Sequence, residues 1–243
     1  MKIAMMALGL SVSTLGFAKA LPEAPADCLD SIQLKGFCSD FSAPPLVGSV
    51  KIKFFVAAEK SDFPTVDSAT SRYLDFVAWP GYALASGTDN LEFNQSAVLA
   101  PIPAQGDQAE ILRHYADYRI AAPIVGWQNV RVLTHNTVVK TYDGALASLE
   151  FVVQNQGPQE VPAGAAELDG SEGVKDQIGS VHVVDCSTSE LCTSNQHLLI
   201  YESTVTPDIN ILPTIAGKAI QDGIEGIMIG MFLNVDNGDG DIL

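Results

Sequence analysis

Positive charge is scarce in this chain: 13 Lys and Arg stand against 29 Asp and Glu in 243 residues, a formal net charge of −16. An excess of that sign repels phosphate backbones and anionic lipid surfaces, which argues against nucleic-acid binding. Reaction-naming motifs are also missing. The four histidines, His114, His135, His182 and His197, form no His-Glu-x-x-His or comparable metal spacing, which disfavours a zinc hydrolase. No Gly-x-Ser-x-Gly elbow is present, and Ser180-Val181-His182 is only two polar residues two apart on a strand-like run. The acidic run Asp236-Asn237-Gly238-Asp239-Gly240-Asp241 lacks the further ligands and the glutamate at position twelve that a calcium loop needs. There is no internal repeat. No cofactor or metal is implied.

What is present begins with an export signal. Lys2 supplies the positive start, Ile3 to Phe17 is uncharged and mostly apolar, and Ala18-Lys19-Ala20 is a small-x-small cleavage site. Residues 1–20 are therefore read as a cleaved leader, too short and wrongly flanked for a membrane anchor. The working protein is expected to be secreted or periplasmic, with no transmembrane segment. All four cysteines follow the leader, and an even count in an exported chain favours two disulfides. Three pairings are possible. Cys28–Cys38 and Cys186–Cys192 are favoured because each pair brackets a short polar loop. A zinc cluster is the rival reading, but it has neither a Cys-x-x-Cys nor a nearby histidine to support it.

Residues 21–47, rich in Pro, Ala and Asp, read as an irregular cystine-tied arm. Val50, Ile52, Phe54 and Val56 then alternate as one face of a strand. Ser61 or Asp62 can cap a helix with Pro64 in its first turn. Val66, Ala69, Tyr73, Phe76 and Val77 form its apolar face, and Trp79-Pro80-Gly81 ends it. Six strands are expected at about 91–102, 110–122, 129–141, 146–155, 177–186 and 192–205, with Asp143-Gly144 as a hairpin turn and 156–175 as a long mobile loop. After Pro207 the period becomes helical, with Leu212, Ile215, Ala216, Ile220, Ile224 and Met228 on one stripe. Lys218, Gln221, Asp222 and Glu225 interrupt it, so the segment is an amphipathic helix and not a membrane span. Its glycines, Gly217, Gly223, Gly226 and Gly230, either let it approach a sheet closely or leave room for a guest. A flexible acidic tail follows at 234–243.

The order strand, helical segment, six strands, long helix resembles the helix-grip fold of the START, polyketide-cyclase and birch-pollen-allergen superfamily. Tyr73-Leu74-Asp75-Phe76-Val77-Ala78-Trp79-Pro80 and Tyr201-Glu202-Ser203-Thr204-Val205-Thr206-Pro207 look like its hallmark segments. The resemblance implies an α+β domain over residues 48–233, a curved seven-stranded antiparallel sheet around a long C-terminal helix, with a cavity between them.

Within Leu112 to Ile120, alternation puts Leu112, His114, Ala116, Tyr118 and Ile120 on the apolar face, so His114 and Tyr118 should point inward. There they can be polar anchors, an acid–base pair, or simply satisfied core residues. Tyr73, Phe76, Trp79, Tyr82 and Trp127 can rim a pocket mouth, while Glu202 has an ambiguous face and is placed outward. The expected ligand site is His114, Tyr118, Trp79, Phe76, Ile224 and Met228, and the expected partner is an apolar or amphiphilic small molecule. No catalytic residue is assigned. The alternatives are a cyclase- or dehydratase-like enzyme using an inward His or carboxylate, and a non-catalytic interaction module that docks a basic partner.

Overall fold

The computed structural model describes residues 19–140, 142–155, 160–165, 168, 173–208 and 212–234. The expected leader up to residue 18, parts of the expected 156–175 loop and the expected acidic tail from 235 onward lie outside the described residues.

Eight strands form one fully antiparallel sheet: β1 (Phe37–Ser42), β2 (Val50–Glu59), β3 (Leu91–Ile102), β4 (Ile111–Ala122), β5 (Gly126–Val139), β6 (Ala145–Val153), β7 (Val174–Asp185) and β8 (Gln196–Pro207). Their spatial order is β1-β2-β8-β7-β6-β5-β4-β3. Strands β3 to β8 are a meander, each beside the next, and β8 closes back onto β2. The helices α1 (Cys28–Lys35), α2 (Val66–Leu74), α3 (Trp79–Ala85) and α4 (Pro213–Phe232) complete the fold. At 1.5 Å per residue the twenty residues of α4 make a rod of about 30 Å, and it packs against β1, β2, β4 and α3. A sheet with an apolar face must cover it; here one face is gripped around α4, with α2 over β6 and β7. This is the helix-grip arrangement, with one strand more than the seven expected.

The additional strand comes from the arm that composition marks as irregular. Cys28–Lys35 is helical, ending at Gly36 in the left-handed conformation (φ 82°). Phe37–Ser42 then pairs with β2, Cys38 opposite Phe55. Short elements of mixed polarity leave little periodicity to read. They are ordered by what they cover, since α1 sits on the outer face of the sheet, where Cys28, Ile32 and Cys38 pack with Phe55, Leu198 and Ile200. The disulfides are Cys28–Cys38 and Cys186–Cys192, each spanning 5.3 Å between Cα atoms, and three of the four cysteines are buried in that same outer cluster.

The first helical segment differs from its sequence reading at both ends. Thr65, four residues after Ser61, is the N-cap, in a reciprocal capping box with Ser68, and Pro64 precedes the helix. Trp79-Pro80 starts α3 instead of ending a helix, because proline is tolerated in a first turn whose amide needs no partner. A 3₁₀ turn at Phe76–Ala78 joins the two helices and turns Phe76 inward while Val77 is exposed. In the 156–175 loop, the described residues Val161, Ala165 and Leu168 pack over Leu99, Tyr115 and Leu133 on the outer face. That cover explains why Tyr115, on the solvent side of β4 by alternation, is fully buried.

The α4 glycines serve close approach. A Cβ on Gly217 would come within 2.7 Å of the Phe41 ring, and one on Gly226 within 2.6 Å of Thr88 Oγ1. On Gly230 it would fall 1.8 Å from the carbonyl oxygen of Tyr82 in α3, which no side-chain rearrangement can relieve. Gly230→Ala is therefore expected to destabilise by about 3 kcal/mol, whereas an unhindered helical glycine gains roughly 1 kcal/mol from the same change. Urea unfolding of the two proteins checks the sign.

Candidate ligand site

Between the concave face and α4 lies a cavity of about 110 Å³. Apolar cavities of roughly 150 Å³ take up a benzene-sized guest. Alternation on the strands builds its walls. Along β4, His114, Ala116, Tyr118, Ile120 and Ala122 face in; along β5, Val130, Val132, Thr134 and Asn136; along β7 and β8, Gln177, Tyr201 and Val205. Tyr73, Phe76 and Trp79 close it from the α2–α3 connection, and Gly223, Ile224, Ile227 and Met228 form the α4 side. All six residues expected at the site, His114, Tyr118, Trp79, Phe76, Ile224 and Met228, line this one cavity.

His114 is almost fully buried and stacks flat on Phe76, ring centroids 4.2 Å apart and planes within 6°, with Trp79 edge-on at 5.1 Å. The Ser96 hydroxyl donates to the Phe76 carbonyl and lies 2.9 Å from His114 Nε2. A hydroxyl whose proton is already committed must accept, so Nε2 carries the hydrogen and Nδ1 is left as an acceptor with no partner among the described residues. Burial lowers the His114 pKa from 6.5 to about 3, so the ring is neutral at physiological pH. Burial likewise raises Tyr118 and Tyr73, with Tyr201 nearby adding to both, and lifts Tyr201 to about 12. Gln177 Nε2 donates to the Tyr201 hydroxyl at 3.3 Å. The hydroxyls of Tyr73 and Tyr118 have no hydrogen-bond partner among the described residues.

Sequence reading missed Tyr201, Gln177, Thr134 and Asn136. Parity could have found Gln177, which sits on the inward side of β7 with Gly179, Val181 and Val183, a lone polar side chain on an apolar face. Two of the aromatics proposed for a pocket rim go elsewhere. Tyr82 is buried against Arg72, and Trp127 is on the outer face under the Arg119 guanidinium, 4.7 Å from the ring. Glu202 also faces out, 3.0 Å from Lys51. The Ser180–His182 pair lies on the outer face too, where His182 is held between Ser148 and Ser180 at 2.9 Å each. Among the described residues no group of three His, Cys, Asp or Glu is placed to hold a metal, and no helix is long and apolar enough to cross a membrane.

The buried neutral histidine makes stability depend on pH. Its folded pKa lies below the unfolded value, so between about 6.5 and about 3 the unfolded chain binds a proton that the folded chain does not. The contribution is complete above pH 6.5 and drains away as pH falls, by about 1.4 kcal/mol per pH unit inside that window. Denaturant midpoints compared at pH 7 and pH 5 should show the loss, and His114→Leu should flatten the slope by close to one proton.

No family model matches the chain, and no curated protein matches it. Among the solved structures similar in outline are two of low identity. One is the crystal structure of TTHA0849 from Thermus thermophilus, 13% identical, with a TM-score of 0.45 over 79% of this chain and 100% of that one. The other is ginseng major latex-like protein 151 from Panax ginseng, 11% identical, with a TM-score of 0.36 over 78% of this chain and 97% of that one. Likeness of this order brings neither a ligand nor a chemistry to this chain.

Proposed function

We propose that this protein is a carrier of the START, polyketide-cyclase and birch-pollen-allergen type, holding an apolar or amphiphilic small molecule between its sheet and α4. The observation that supports the reading is the unfilled, mainly apolar space under a helix whose flanking contacts are tight. Binding would come from burial: roughly 200 Å² of apolar ligand surface removed from water is worth about 5 kcal/mol before the costs of immobilisation. Phe76, Trp79, Ile224 and Met228 supply the apolar contact, and His114 and Tyr118 the polar anchors. The chemistry favours holding over turnover, because a histidine near pKa 3 is a poor base at neutral pH and the carboxylate considered for that role, Glu202, faces outward. The disulfides fit an oxidising compartment, so we place the working protein outside the cytoplasm, released from its leader.

Ala116 lies on the cavity wall between His114 and Tyr118. Ala116→Phe should fill the space and weaken calorimetrically measured binding of a neutral one-ring probe such as anisole at least tenfold, with circular dichroism and cooperative unfolding retained. Equal anisole affinity in both proteins, or none in either, would sink the carrier reading.

A further inference from the structure

The side chains that line the cavity include no Asp, Glu, Lys or Arg among the described residues. The groups there that can titrate are His114 and the phenols of Tyr73, Tyr118 and Tyr201, and burial drives all four towards their neutral forms. A charged guest would surrender its hydration and meet no counter-charge, which is a far larger penalty than an unpaired hydroxyl suffers. Hydrogen-bonding capacity, in contrast, is present and unspent. His114 Nδ1 offers a lone pair, Tyr73 and Tyr118 offer hydroxyls, and the Tyr201 hydroxyl already accepts from Gln177 and keeps its own proton to give.

We propose that the cavity selects by charge: it takes an uncharged, mostly apolar molecule bearing a hydroxyl or carbonyl group and rejects the carboxylate of the same shape. This rests on the carrier reading and sharpens it. The excluded class includes fatty acids and aromatic acids, while alcohols, phenols, ketones and esters are admitted. A hydroxyl suits the set best, since it can donate to His114 Nδ1 and accept from a tyrosine.

The test uses three one-ring probes, phenol, methyl benzoate and benzoate, titrated by calorimetry at about pH 7.5 into the disulfide-intact protein. Salt is held at about 0.5 M so that the long-range repulsion of an acidic protein is screened and only the local environment discriminates. Phenol and the ester are expected to bind, and the carboxylate to bind at least tenfold more weakly than its own ester. Competition with anisole, and loss of the signal in Ala116→Phe, ties binding to this cavity. A carboxylate within tenfold of its ester would overturn the charge selection and leave the carrier reading standing. Failure of all three probes, together with anisole, would remove both.

Discussion

Gly230 has no side chain, and the Tyr82 carbonyl occupies the place one would need. Nearer the start of α4, Gly217 is pressed in the same way against Phe41 and Val50. Between these close contacts lie Gly223, Ile224, Ile227 and Met228, which form the α4 side of the cavity. Gly223 and Gly226 make close contacts of their own, with Ile120 and Thr88, so the helix is held along its length and the gap lies beside those contacts. Without these contacts the rod could settle onto the sheet and fill the space, since interiors close voids wherever nothing rigid prevents it. The hollow depends on the tightness of its flanks.

A second constraint acts through the sheet's other face. Strands of a two-faced sheet alternate, so residues set between inward positions must also find cover or be polar. Near β2 and β8 the outer face is apolar, with Phe55, Leu198 and Ile200, and α1 with its cystine covers it. Near β4 and β5 the described part of the long loop covers Tyr115 and Leu133. Between these patches the outer face is open to solvent, with Ile178 exposed, His182 fixed between two serines and Glu202 beside Lys51. At Tyr115 the strand β4 is held from behind as well as from the cavity side, which fixes where its neighbour His114 can point.

How much of this can be read from the chain follows from the same alternation. In β4 an unbroken two-residue period puts His114 and Tyr118 on the inner face, and the six strands of the meander are each located to within a few residues. The long helix is legible because its stripe runs for five turns. What escapes is set by contacts distant in sequence. Gln221 reads as part of a solvated face, yet it is buried because Ser39 of β1 accepts its amide hydrogen bond at 2.6 Å. Nothing near Gln221 announces Ser39. In the same way α1 and β1 carry too little pattern to be seen alone, and Trp79-Pro80 can open a helix as readily as close one. Of the cavity, alternation supplies the wall residues but not the distance between wall and rod, which the glycine contacts decide.

The Ser39 contact has a further consequence. The strand β1, near one end of the described chain, reaches the last helix near the other: Ser39 bonds both Gln221 and Glu225. During synthesis the meander emerges before α4, so its concave surface has no lid until the chain has been made as far as Phe232. Native architecture then waits for a contact between residues 182 positions apart, a topology of long-range closure that makes assembly slow relative to local helix formation. A chain built this way stays open and threadable until α4 has been made.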